Sequence, residues 1–187
     1  MKKKRLYLIF ILICITSCVY TKITHLSNED LKWLSAYEKG DTVCFISHNC
    51  GIDTLFITDK EINNSNFPFI ENEASFEYTA NGSYTYKMIH KGEIYDGILL
   101  LVRKVDNDKK ASISFSLCGY YSDMFSPKEI EQVIGRKIIT DCIIINSSNA
   151  HNGLYQKNIG IRKVIWSKSK GILEFETDED SWRLEKI

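Results

Sequence analysis

The groups in this 187-residue chain that can move protons, attack or ligate include four histidines and six cysteines. His151 in NSSNAHNG, with Asp141 upstream, comes nearest to a base beside hydroxyls, and an envelope hydrolase built on it would lose turnover with that ring. Its Asn-, Ser- and Gly-rich setting reads instead as a solvated loop. CFISHNC offers Cys44, His48 and Cys50 as metal ligands, yet the spacing fits no zinc knuckle and a fourth ligand is not visible. A hairpin turn accounts for the same letters. Asp178, Glu179 and Asp180 lack the glycine and spacing of a calcium loop and read as a solvated acidic turn. His25 falls in a tether, and His90 reads as a strand-end residue near solvent. Tyr84, Tyr86, Tyr120 and Tyr121, with Tyr78, would make an aromatic platform for sugar or peptide, although aromatics at period two usually build core. No nucleophile elbow, HExxH, P-loop or dinucleotide fingerprint is present. The expectation is a non-catalytic protein with no metal and no cofactor.

The N-terminus carries a different kind of chemistry. Lys2, Lys3, Lys4 and Arg5 precede an apolar block from Leu6 to Ile15, then Thr16 and Ser17, the layout of a secretory signal. About ten apolar residues rise only about 15 Å as a helix, half of a bilayer core, so a permanent span is not expected. Ile15, Thr16, Ser17 and Cys18 resemble a lipobox, the four-residue motif of bacterial lipoproteins. That resemblance implies cleavage before Cys18 and thioether lipidation of its sulfur. Residues 1–17 are then a signal peptide, 18–26 a lipidated cysteine and tether, and 27–187 a single domain.

Acids and bases balance at 24 each, but the first 17 residues hold four bases and no acid, so the mature chain is near −4. A mildly acidic chain has no basic surplus for phosphates, which removes nucleic acid as a default partner. Polybasic attraction to anionic lipid goes with it. Membrane contact is expected from acyl chains on Cys18, worth roughly 0.8 kcal/mol per buried methylene.

Roughly 160 mature residues suffice for one domain with one core. Aromatic residues at 12% and only two prolines favour a strand-rich body. With Cys14 lost and Cys18 acylated, Cys44, Cys50, Cys118 and Cys142 remain, and four cysteines permit three pairings. Cys118 with Cys142 is the more plausible disulfide, the alternative being that both are buried as small hydrophobes.

The elements follow from period and punctuation. Ser27 before Asn28, Glu29 and Asp30 reads as an N-cap opening a short helix through Trp33. TVCFISH and DTLFITD flank a first hairpin turn. Ala74, Phe76 and Tyr78 share one strand face and Tyr84, Tyr86 and Met88 another, which predicts a three-residue loop over Ala80–Gly82. GILLLVR reads as a central strand covered on both faces, and ASISFSLC alternates Ile113, Phe115 and Leu117 inward with serines outward. SPKEIEQVIG has the caps of a short helix stopped by Gly135, with a strand from Ile138 to Ile145 beyond it. The last thirty residues read as a meander. A four-residue KSKG loop aligns Val164 and Trp166 with Leu173 and Phe175, and a TDED turn sets Phe175 against Trp182 and Leu173 against Leu184. The fold class expected is all-β, with one or two short helices: an antiparallel meander sheet, a sandwich or a partly closed barrel.

Trp33, Tyr37, Gly40, Asp41, Phe45, Ser47, Gly51, Asp53 and Thr54, followed by SKSKGILEFETDEDSW, resemble small uncharacterised envelope lipoproteins of the Bacteroidetes type. The resemblance implies an envelope lipoprotein, of the outer membrane, and carries no activity with it. Surface export in that group is marked by acids just after the lipidated cysteine; Val19, Tyr20, Thr21 and Lys22 stand there instead, which implies a domain facing the periplasm. Asp41-Thr42-Val43 and Asp53-Thr54-Leu55 also resemble that group's O-glycosylation tripeptide. The leading expectation is a lipid-anchored envelope protein whose β domain binds an envelope protein or glycan. The alternative is a lipocalin-like carrier of an apolar ligand, distinguished by whether the apolar faces around Leu99, Leu101, Phe115 and Trp166 enclose a volume or meet each other.

Overall fold

A computed structural model describes residues 22–64, 77–153 and 157–185. The signal segment, Cys18, Ala74 and Phe76 lie outside the described residues. The chain runs through β1 (Lys22–Ile23), α1 (Asn28–Leu31), a 3-10 turn (Lys32–Leu34), β2 (Thr42–Ser47), β3 (Ile52–Asn63), β4 (Glu77–Tyr78), β5 (Ala80–His90) and β6 (Glu93–Lys104). It continues with β7 (Ser112–Leu117), β8 (Tyr120–Ser122), β9 (Ile130–Ile134), β10 (Lys137–Asn146), β11 (Ala150–Asn152), β12 (Ile161–Ser167), β13 (Gly171–Thr177) and β14 (Ser181–Leu184). Twelve strands form one antiparallel sheet in the order β11-β8-β7-β6-β5-β3-β2-β14-β13-β12-β10-β9, while β1 and β4 pair in parallel. The all-β expectation holds, and the sheet curls into a half-barrel.

Bulges supply the curvature, because an extra residue on one strand bends it and raises its twist. They interrupt the β3–β5, β5–β6, β12–β13 and β9–β10 ladders. The two ends of the curl come within hydrogen-bonding reach: the Tyr120 hydroxyl on β8 donates to the carbonyls of Ile145 (3.3 Å) and Arg162 (3.4 Å). Asn152 Nδ2 on β11 donates to the carbonyl of Ile161 at 3.0 Å.

Aromatics fill the interior. Trp166 is fully buried and meets Tyr37, Tyr84 and Phe115 at centroid distances of 5.8, 6.3 and 6.1 Å. Tyr84, Tyr86 and Tyr120 are therefore core, and burial pushes the phenols of Tyr84 and Tyr120 up to about 12. Ile134, Ile139, Cys142, Ile165 and Leu173 form a smaller second cluster. Strand alternation puts it on the opposite face, since Val164 and Trp166 belong to the main core and Ile165 to the other.

The segment before β2 closes one end of the barrel. Ser27 and Asp30 form a capping box, and Trp33, Leu34 and Tyr37 insert into the core. The Tyr37 hydroxyl accepts from the Ile172 N–H at 2.8 Å, and the Tyr37 N–H donates to the Tyr84 hydroxyl at 3.2 Å. The tether is shorter than expected. Thr24 and Leu26 are buried, and Leu26 N–H donates to Asn64 Oδ1 at 2.8 Å, so these residues belong to the domain.

Three expectations fail for one reason: long-range pairing outweighs local signals of about 1 kcal/mol. Asn81 and Gly82 lie inside β5, opposite Asn63 and Ile62, and β5 takes β3 and β6 as partners rather than the segment ending at Tyr78. The turn there is Lys91-Gly92, with His90 opposite Glu93 and φ values of 49° and 81°, the left-handed pair of a type I′ turn. The capped segment from Ser126 is an edge strand, β9, turned back by Gly135-Arg136 so that Ile134 faces Lys137. KSKG closes with three loop residues rather than four, because Ser167 pairs with Gly171; the bulge that follows moves Leu173 into the second cluster. Phe175 does face Trp182 across the TDED turn.

GILLLVR is a central strand, but Ile98 is half exposed. The bulge pairs Thr85 with Ile98 and Tyr84 with Leu100, leaving Leu99 unpaired, and both leucines turn inward. In β7 Ile113, Phe115 and Leu117 are buried and the serines half-buried, as alternation requires.

Candidate functional site

At the end opposite the N-terminal segment, four adjacent strands bring polar residues together inside the sheet. Asp53 continues the inward parity of Leu55 and Ile57 on β3, and His90 that of Tyr86 and Met88 on β5. Thr54 pairs with Ile89, so the preceding and following residues, Asp53 and His90, come side by side. Their exposures are 2% and 5%, and His90 Nδ1 lies 2.5 Å from Asp53 Oδ2. A carboxylate so far from water is stable only when paired. Trp182 of β14 tilts against the His90 ring at 5.1 Å and stacks on Phe175 at 5.4 Å. This corrects the sequence reading of His90 as a residue near solvent: the inward parity of β5 runs to its last residue, so the ring is buried although the turn begins at the next position. Asp53, read as the first residue of a glycosylation tripeptide, is half of the same pair.

Three exposed ion pairs surround this floor. Lys91 Nζ meets Glu179 at 2.5 Å, Lys157 pairs with Glu93, and Arg162 with Asp178. Lys91 holds the Glu179 carboxyl below its ordinary value, and Lys157, with Tyr95, does so for Glu93. Burial and the neighbouring Glu93 push the Tyr95 phenol up to about 12. Burial raises the Asp180 carboxyl, but donation from Ser181, Ser47 and Asn49 outweighs it and the net shift is downward. The Lys91–Glu179 pair separates two grooves. One, of about 410 Å³, reaches Asp53 and Trp182; the other, of about 580 Å³, reaches His90.

The chemistry available is that of an oriented imidazole. Asp53 holds Nδ1 and so orients the ring. Among the described residues no hydroxyl is hydrogen-bonded to the ring. Ser47 Oγ accepts from Gly51 N–H at 2.8 Å, and Thr177 Oγ1 donates to the Asp180 carbonyl at 3.1 Å.

The other sequence candidates stay apart. His151 is exposed on β11 against Tyr121, ring centroids 4.1 Å apart, while Asp141 accepts from Ser167 Oγ (2.8 Å) and the Ser169 N–H (2.9 Å). Cys44, His48 and Cys50 surround the β2–β3 turn, and among the described residues no group of three or more His, Cys, Asp or Glu side chains could hold a metal. Asp178, Glu179 and Asp180 form the β13–β14 turn and each has its own partner. Cys118 and Cys142 are free thiols rather than the expected disulfide; Cys118 lies in the main core and Cys142 in the second cluster, on opposite sides of the sheet.

A buried ion pair lies at the N-terminal end. Lys104 Nζ meets Asp30 Oδ2 at 2.8 Å, and Ala111 N–H donates to Asp30 Oδ1 at 3.2 Å. Burial raises the Asp30 carboxyl, but Lys104, Ser27 and Ala111 outweigh it and hold it at about 2. Nothing in the sequence reading assigned Lys104 a role. Parity offered a signal, since it shares the inward set with Leu100 and Val102.

Comparison with family models, curated proteins and solved structures returns no match. The chain is defined by its own features: an antiparallel all-β half-barrel, closed at one end by a helical segment and bearing a buried Asp–His pair at the other.

Proposed function

We propose that the chain is a lipid-anchored envelope protein, tethered through Cys18 to the outer membrane on its periplasmic side, whose half-barrel is a non-catalytic binding domain for an envelope component. The observation that carries this reading is that Thr24 and Leu26, a few residues beyond Cys18, are already packed into the domain. Lys22 is four residues beyond Cys18, a reach of about 14 Å at most. The following residues are held at the closed end of the barrel, where Asn107 Nδ2 donates to the Ile23 carbonyl at 2.8 Å and Thr24 Oγ1 to that of Val105 at 3.4 Å. Those contacts lie at the far end of β6 from Glu93, the partner of His90. Twelve residues of strand at about 3.3 Å each set the two ends about 40 Å apart along the chain. An anchor at Cys18 therefore holds the closed end near the bilayer and turns the polar end towards the aqueous space. The filled interior favours binding at this rim over carriage of an apolar ligand, since Phe115 and Trp166 meet each other where a carrier needs room.

Metabolic labelling with an alkynyl palmitate in the native host tests the anchor. Label is expected on the wild-type chain, with loss of label and release from the membrane fraction in Cys18→Ser. An unlabelled wild-type chain, or a labelled Cys18→Ser variant, would overturn it.

A further inference from the structure

We propose that β9 is a dimerisation edge: it pairs antiparallel with β9 of a second copy about a two-fold axis at Val133, so that two half-barrels share one continuous sheet. The inference goes beyond the binding role given above and does not depend on the lipid anchor.

The edge supplies the first argument. β9 is the last strand of the sheet and pairs only with β10, whereas β11, at the other end, is tied to the Ile161 carbonyl through Asn152. Gly135-Arg136 is a two-residue turn, and the residues that close such a turn exchange both hydrogen bonds. Ile134 and, by alternation, Gln132 therefore bond across to β10, while Glu131 and Val133 direct their N–H and C=O groups away from the sheet. Among the described residues only Gln132 Nε2 meets that edge, at the Glu131 carbonyl (2.9 Å). Sheets that stay single blunt an open edge with proline, lysine or a bulge. The strand IEQVI holds neither proline nor lysine, and the bulge in its ladder lies between Ile139 and Cys142, away from Val133. Val133 and Ile138 face each other across this hairpin and are 67% and 65% exposed.

Register supplies the second argument and names the occupant. Only Glu131 and Val133 bond outward from β9, so an antiparallel second copy has three registers. Glu131 opposite Glu131 sets like charges together, and Glu131 opposite Val133 sets a carboxylate against an apolar group. Val133 opposite Val133 does neither. Directly opposed residues share a face, so in this register Ile138 and Val133 of both copies form one unbroken apolar row across the axis. The same register puts Glu131 opposite Gly135 of the second copy, beside its Arg136. Glu131 and Arg136 are both exposed and make no ion pair among the described residues, and the two-fold axis joins them twice. This match of apolar to apolar and acid to base fits a copy of the same strand, without calling on a strand of another protein.

The test is oxidation by copper phenanthroline of the full chain in cells of its native host, in a Cys50→Ser background that removes the exposed thiol. Opposed residues of a bonded pair have Cα atoms about 5.5 Å apart, within disulfide range. Ile138 lies three strand spacings from its copy, about 14 Å, and is out of range. Val133→Cys is expected to give a species of twice the chain mass on a non-reducing gel, at least about tenfold more than Ile138→Cys gives. Added to Val133→Cys, Glu131→Arg and Arg136→Glu should each lower that yield at least about threefold, and the two together should restore it. No doubled species, a species that joins the chain to a different protein, an equal yield from Ile138→Cys, or no recovery in the double reversal would each overturn the dimer.

Discussion

Asp53 Oδ2 and His90 Nδ1 stand 2.5 Å apart beneath Trp182, both side chains more than nine-tenths buried. Removing only one partner leaves the other desolvated and alone, which costs about 3–5 kcal/mol. His90→Leu should therefore destabilise the domain by that amount in urea unfolding. The double variant Asp53→Leu/His90→Leu should recover most of the loss, because two apolar groups need no partner. Additive single and double costs would show that the pair is not coupled.

Asp30 gives the domain an acid limb. Its carboxyl is held at about 2 in the folded chain against 3.8 ordinarily. A depressed folded value stabilises above the unfolded one, so the contribution is complete above about pH 4 and fades as pH falls towards about 2; it amounts to about 2 kcal/mol. Stability measured by urea at a series of pH values should fall across that window. In Lys104→Met the step should shrink, and stability at pH 7 should drop by about 3–5 kcal/mol from the stranded carboxylate. An unchanged acid profile in that variant would refute the assignment.

Two left-handed glycines separate backbone strain from crowding. Gly135 has φ +63° and open space where a Cβ would stand; Gly171 has φ +75°, and its Cβ would fall 2.1 Å from the Tyr37 hydroxyl oxygen. Gly135→Ala should cost only the left-handed penalty, about 1–2 kcal/mol. Gly171→Ala adds overpacking of roughly 1–3 kcal/mol, because Tyr37 is buried and holds the Ile172 N–H. Thermal melts of the two variants give the difference directly, and equal losses would contradict the contact.

The four described cysteines should separate by reactivity. Cys50 is exposed, whereas Cys118 and Cys142 are fully buried. Burial, aided by Asp141, pushes the Cys142 thiol up to about 11, and burial also raises Cys118. A thiol reacts as its thiolate. A brief iodoacetamide pulse followed by peptide mapping should label Cys50 in the native state, and Cys118 and Cys142 only after unfolding. Recovery of a Cys118–Cys142 disulfide peptide would overturn the arrangement.

Legibility followed the range of the forces involved. Where the signal lay within a few residues and agreed with the tertiary partner, the letters sufficed: the Ser27 cap, the β2–β3 hairpin, the alternation of β7 and the facing of Phe175 and Trp182. Where a local signal competed with a distant strand it misled. Ser126 to Gly135 carries helix caps yet pairs with β10, and Asn81-Gly82 looks like a turn yet lies between β3 and β6.

The order of letters determined the all-β class and the inward parity of each strand, because side chains alternate about a backbone whose period is fixed by its geometry. Which inward residues meet was decided only by the sheet. Asp53 and His90 are 37 positions apart, Asp30 and Lys104 are 74, and each pair depends on strand order, register and a bulge set by the packing of distant chain. Parity alone would have turned Asp53 and His90 inward; that they face each other beneath Trp182 is the work of the strand order that brings β14, β2, β3 and β5 side by side.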